Sequence, residues 1–146
     1  MISRPALLVL AAALGLASPF RTEEPRVRRA NARLEAGAPA EALRLYDDAE
    51  RSAGARAEID FDRGHAAYAG GDLAGAALAW RRAADAADAA SPALASRALQ
   101  NLATALASAG DRDGAARALA DALSRDPSNE DARWNLEVLL RQRAAG

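Results

Sequence analysis

The sequence contains no cysteine. Disulfides, thiolate-bound zinc and thiol catalysis are therefore excluded. So is a lipid carried on an N-terminal cysteine. Lysine is also absent, so all 19 cationic side chains are arginine. A choice this uniform reads as a compositional habit of the source, not as a site. Aromatic residues make up 4% of the chain and β-branched residues are few. A β-sheet core, which draws on both classes, is disfavoured. Histidine occurs once, at His65. One histidine with Asp62 nearby does not make a zinc site, which takes about four ligands. The formal net charge is -1 with the two signs interspersed. No basic face suited to nucleic acid results. Arg26, Arg28, Arg29 and Arg33 do cluster, but Glu23, Glu24 and Glu35 flank them. That pattern reads as a solvated helix face of mixed charge.

Alanine and leucine are abundant instead. Both are strong helix formers, because they lose little side-chain freedom in a helix. The length of 146 residues suits one domain. The composition predicts an all-α fold in which small side chains let helices pack closely.

The N-terminus has the anatomy of an export signal. Arg4 supplies a positive start, and Ala6 to Ala17 is an apolar run of twelve residues. A bilayer-spanning helix takes about 20 residues. Gly15 and Ala17 place small residues where a peptidase cutting before Ser18 needs them. The expectation is a signal peptide over residues 1–17 and a mature domain over 18–146. The protein is then exported to the periplasm or the periplasmic face of the inner membrane. Whether the segment is removed or kept as an anchor stays open.

The rest of the chain repeats. Ala30 is followed by Gly37, then by Ala42, Tyr46 and Ala49. Gly64 is followed by Gly71, Ala76, Trp80 and Ala83, and Ala103 by Gly110, Ala115, Leu119 and Ala122. Gly37 and Gly71 are 34 residues apart, whereas Gly71 and Gly110 are 39 apart. Five residues are thus inserted, within Ala86 to Ala93. These glycines fall where one helix stops and reverses, which glycine does without steric cost. Ala30, Gly64 and Ala103 are expected to oppose Ala42, Ala76 and Ala115. Tyr46, Trp80 and Leu119 are expected to fill the gap to the next repeat. Ser91 and Ser128 are the expected helix caps. Pro92 opens the third unit and Pro127 ends it.

This pattern resembles the tetratricopeptide repeat family. The resemblance implies antiparallel helix-pair repeats, three units plus a C-terminal capping helix, forming a short right-handed solenoid. The units would span residues 23–56, 57–90 and 96–129, with the capping helix over 130–143. Two stretches are more specific. Phe61-Asp62-Arg63-Gly64-His65-Ala66-Ala67-Tyr68 resembles the family pattern F-N-R-G-N-A-x-Y, with Asp62 and His65 in place of asparagine. Asp126-Pro127-Ser128-Asn129-Glu130-Asp131-Ala132-Arg133-Trp134-Asn135-Leu136-Glu137 fits D-P-x-N-x-D-A-R-x-N-L-E. Both are similar to short exported tetratricopeptide proteins of bacterial aerotolerance-type operons. Those are encoded beside membrane proteins with von Willebrand factor A domains.

That resemblance implies a non-enzymatic adaptor in the cell envelope, without cofactor or metal. Its partner would be a protein or extended peptide, von Willebrand factor A domain membrane proteins first among them. No lipid contact is expected beyond a retained N-terminal segment. In the family the first helix of each unit lines a groove. By that register Asp62, Asn101 and Asn135 share the sixth position. Asn31, His65, Thr104 and Val138 share the ninth. Phe61, Tyr68 and Trp134 would add aromatic surface. Amides both donate and accept, which suits gripping a peptide backbone. A subclass of the family clamps a terminal carboxylate with lysine, asparagine and arginine. Val27, Asp62 and Asn101 break that set, and only Asn31 and Arg97 fit it. The alternative reading is a structural subunit that self-associates through Val138, Leu139 and Leu140 of its terminal helix.

Overall fold

The structure is a computed structural model that describes residues 24–54 and 56–145. The expected signal segment lies outside the described residues. Those residues form seven α-helices and no strand. They are α1 (Pro25–Glu35), α2 (Pro39–Ala53), α3 (Ala57–Ala69), α4 (Leu73–Ala87), α5 (Pro92–Ser108), α6 (Arg112–Arg125) and α7 (Glu130–Ala145). A short 3₁₀ turn, Asp88–Ala90, absorbs part of the insertion after α4. The rest lengthens α5, which runs 17 residues from Pro92. Each helix packs chiefly on its neighbours in sequence, so the chain is a stack of helix pairs.

The three reversals share one geometry. Gly37, Gly71 and Gly110 all have positive φ, at 75°, 82° and 89°. The amide after each glycine reaches back to the preceding helix. Ala38 donates to the Arg33 carbonyl, Asp72 to Ala67 and Asp111 to Leu106, at 2.8 to 2.9 Å. These bonds satisfy carbonyls that a helix end would otherwise leave open. The residue that closes the second and third reversals also starts the next helix. The Asp72 carboxylate accepts from the Gly75 amide and Asp111 from Gly114, both at 2.8 Å.

Two expected caps are corrected. Ser91 precedes α5 but makes no side-chain capping bond. At α7 the cap is Asn129, whose Oδ1 accepts from the Ala132 amide at 3.0 Å. Its Nδ2 donates to Ser96 Oγ at 2.9 Å, tying α7 to α5. Ser128 instead gives its hydroxyl and amide to the Asp126 carboxylate.

Alanine builds the interior. Ala30, Ala42, Ala76, Ala103 and Ala115 are all buried, as are Tyr46, Trp80 and Leu119. Trp80 shares a core cluster with α5 of the next pair and also packs within its own pair. Its indole sits over Gly64 of its own pair, in the space a Cβ there would take. The apolar side chains form two clusters. Val27, Tyr46 and Ile59 anchor one. Phe61, Trp80, Leu94, Leu99, Leu102 and Leu119 anchor the other. Each such large side chain contributes about 1.5–3 kcal/mol by leaving water.

A charged network joins the first two pairs. Arg63 of α3 reaches Asp60 at 2.9 Å, Glu50 of α2 at 2.7 Å and Asp47 at 3.0 Å. Arg82 of α4 reaches Glu50 at 3.0 Å and Asp60 at 3.5 Å. Hydrogen bonding to Arg63 holds the Glu50 carboxyl below its usual range. Burial pushes Asp60 up, against the pull of Arg82 and Arg63.

Candidate partner-binding groove

The residues expected to line a groove lie on α1, α3, α5 and α7, the first helix of each pair and the terminal helix. The structure divides them. Asp62, Asn101 and Asn135 are 3%, 4% and 4% exposed. They form a covered floor, not the groove-lining row of amide and carboxylate groups expected. The sixth position of each of these helices is covered, and Asn101 has a partner on another first helix, His65. Thr104 is likewise buried, with its hydroxyl donating to the Gln100 carbonyl at 3.2 Å. Asn31 is half-buried and accepts from the Tyr46 hydroxyl of α2. Burial, then the charges of Asp62 and Glu35, raises the Tyr46 hydroxyl well above its usual range. It is therefore a fixed donor.

Phe61 is corrected from surface to core, at 1% exposed. Its ring packs edge-on to the His65 imidazole at 4.9 Å between centroids. Its main-chain carbonyl is the polar centre of the region. It accepts from the Trp80 indole N–H at 3.0 Å and lies 3.1 Å from His65 Nδ1. On the other edge of the ring, His65 Nε2 lies 3.4 Å from Asn101 Nδ2 of α5. An amide nitrogen only donates. Nε2 is thus the acceptor, and the proton sits on Nδ1, donating to Phe61. Trp80 meets the same imidazole edge-on at 5.4 Å. Burial pulls the His65 pKa down to about 4, and the nearby Arg97 charge acts the same way, against the bond to the Phe61 carbonyl. His65 is therefore neutral at pH 7. It meets Asn101 of α5 through Nε2, and its one proton is engaged by the Phe61 carbonyl.

Surface remains around this floor. Tyr68 is half-buried, and its hydroxyl lies 3.1 Å from Ser108 Oγ, bridging α3 and α5. Arg97 is half-buried on α5, and Trp134 is 53% exposed on α7. Sequence reasoning did not single out Ser108 or the Phe61 carbonyl. No residue-type signal marks a backbone oxygen as a site. Among the described residues no group of three or more His, Cys, Asp or Glu is placed to hold a metal. No described helix is long and apolar enough to cross a membrane.

No family model and no curated protein matches the chain. Among solved structures it is similar to the second tetratricopeptide (TPR) domain of human RPAP3, determined by NMR in complex with the HSP70 peptide SGPTIEEVD. The match has a TM-score of 0.67 at 20% identity and covers 78% of this chain and 91% of that one. The chain has the tetratricopeptide-repeat fold. The pairs α1–α2, α3–α4 and α5–α6 are its helix-pair units, and α7 follows as a capping helix.

Proposed function

We propose that this protein is a non-enzymatic interaction adaptor of the bacterial cell envelope. It docks with a von Willebrand factor A domain membrane protein through the face made by α1, α3, α5 and α7. The observation that carries this reading is the rigid polar floor under that face. The Phe61 carbonyl holds the His65 ring within α3, and His65 meets Asn101 across to α5. Tyr68 and Arg97 rise around that floor, and the Tyr68 hydroxyl meets Ser108 of α5 before any partner arrives. A surface ordered in advance spares the ordering entropy that binding would otherwise cost. The similarity of the terminal motif to the aerotolerance-type proteins supports the envelope and the partner class. The RPAP3 domain carries its peptide on the same fold, which supports a peptide-like partner segment. A terminal-carboxylate grip is not part of the reading, because Val27, Asp62 and Asn101 break that set of residues.

The test is a titration against the soluble domain of a von Willebrand A protein encoded beside this chain. Binding is expected. The double variant Tyr68→Ala, Arg97→Ala should weaken it tenfold or more, about 1.4 kcal/mol. Arg81→Ala, on the exposed side of α4, should change little. Absence of binding to every neighbouring von Willebrand A protein would sink the partner assignment. Binding that survives the double variant but fails on α4 variants would move the site to the second helices.

A further inference from the structure

The two ends of the stack carry two features of complementary chemistry. At the first end, α1 and α2 border an open cleft of about 690 Å³ lined by Arg29, Ala32, Arg33, Glu41, Arg44 and Leu45. Three guanidinium groups face one carboxylate there. Arg33 pairs with Glu41 at 3.3 Å. Among the described residues, Arg29 and Arg44 have no ion pair. Ala32 and Leu45 add apolar wall. The volume falls in the range of ordinary small-molecule sites, which leaves room for one indole.

The last helix presents the complement. Trp134 is 53% exposed on α7. Glu130 and Asp131 stand one turn before it and Glu137 one turn after. Glu130 and Asp131 are exposed and, among the described residues, have no ion pair. Acidic residues suit the first turn of any helix, through its dipole. A half-exposed indole gains nothing from that position. Arg133 and Glu137 of α7 are exposed as well. The self-association first expected of Val138, Leu139 and Leu140 is not available as such. Leu139 is buried and Val138 half-buried, so Leu140 alone is open.

We propose that these two features join copies of this chain head to tail. Trp134 of one copy enters the α1–α2 cleft of the next. Its indole lies against the Arg29 and Arg33 guanidinium groups, an attraction of cation and ring face. Glu130 and Asp131 meet the unpaired Arg29 and Arg44. Within one copy the two features cannot meet, since α7 packs on α6 and α5 while α1 packs on α2 and α3. The contact is therefore between unlike surfaces. Such contacts extend into open chains unless a rotation closes them. Arg97 lines one depression with Glu130 and Asp131, so the joint borders the adaptor face, and mass in solution tests it apart from partner binding. An array of this kind would present that face repeatedly to a membrane partner.

The experiment is light scattering and sedimentation on the full chain as the cell produces it, over a concentration series at low and high salt. The mass is expected to rise with concentration at low salt and to fall back at high salt, because the joint is largely ionic. Trp134→Ala alone and Arg29→Glu, Arg44→Glu alone should each stay monomeric with unchanged helicity, since all three residues are exposed. The decisive arm mixes them. The first variant keeps an intact cleft and the second an intact knob, so the mixture should give a one-to-one dimer and stop there. A wild type that is monomeric throughout overturns the proposal. So does either variant assembling alone, or a mixture that does not pair. A wild-type dimer that persists in both variants shows a contact that uses neither feature and overturns it too. So does a monomer whose cleft instead takes up an acidic tryptophan-bearing peptide from another protein.

Discussion

The Trp80 indole N–H donates to the Phe61 carbonyl at 3.0 Å, and the same ring fills the space a side chain at Gly64 would need. Glycine inside a helix ordinarily weakens it by roughly 0.5–1 kcal/mol relative to alanine. Gly64 is mid-helix in α3, so Gly64→Ala would normally stabilise. Here the new Cβ would overlap the buried indole. Displacing the ring also breaks its bond to Phe61. The expected result is a net loss of about 1–3 kcal/mol, in the range of overpacked cores. Chemical denaturation followed by tryptophan fluorescence measures it. A more stable variant would show that the indole does not rest on α3.

Gly71 tests backbone strain without packing. Its φ is +82°, and a Cβ there would meet nothing within 4 Å. Any loss on substitution is therefore conformational. Gly71→Val should destabilise by about 1–3 kcal/mol, since a β-branched residue pays most for the left-handed region. Gly71→Asn should lose less, because asparagine tolerates that region. Thermal melts by circular dichroism compare the three proteins. Equal midpoints for all three would place Gly71 outside a left-handed helix end.

The readable part of this fold was the part where one residue type has one use. Gly37, Gly71 and Gly110 recur where helices reverse, and only glycine enters that conformation freely. Tyr46, Trp80 and Leu119 recur at a spacing that points inward, and they are buried. Choices between equivalent residues were not readable. Ser128 and Asn129 both cap helices well, and Asn129 does so here because it also reaches Ser96. Burial on the first helices was misjudged for a physical reason. Asp62, Asn101 and Asn135 carry groups that water normally claims, and a family register cannot show which of them the neighbouring helix covers. The spacing of Asp72 to Gly75 and of Asp111 to Gly114 was a usable signal. A cap followed three residues later by glycine leaves room for its own carboxylate.

His65 predicts a pH dependence with a definite sign. Its folded pKa is about 4, against an ordinary value of 6.5. The folded state therefore holds it neutral where the unfolded chain binds a proton. Its contribution is complete above about pH 6.5 and is lost as pH falls from there toward 4. Below 4 it loses no more. A gap of this size corresponds to roughly 3 kcal/mol across the window. Asparagine stands at this position in the resembling family, so His65→Asn is the fitting control. The difference in stability between the two proteins should shift by that amount between pH 7 and pH 4. A constant difference would mean that the imidazole titrates as it does in water.

The Asp60–Arg63 pair is a substitution of charge for leucine. On α5 the equivalent positions of the repeat hold Leu99 and Leu102, both buried in the core. On α3 they hold a carboxylate and a guanidinium, joined at 2.9 Å and extended by Glu50, Asp47 and Arg82. Desolvation works against such a network, while removal of one partner leaves a buried charge unanswered. Arg63→Met should thus cost about 3–5 kcal/mol, because Asp60 stays buried with only the more distant Arg82 beside it. The double change Asp60→Leu, Arg63→Leu copies α5 onto α3. It should recover most of that loss and can exceed the parent, as replaced buried pairs often do by about 1–4 kcal/mol. Denaturant titrations of the parent, the single and the double variant decide it. If the double variant is no better than the single one, the network is stabilising as a whole. Its charges would then be holding α2, α3 and α4 in register more strongly than apolar packing can.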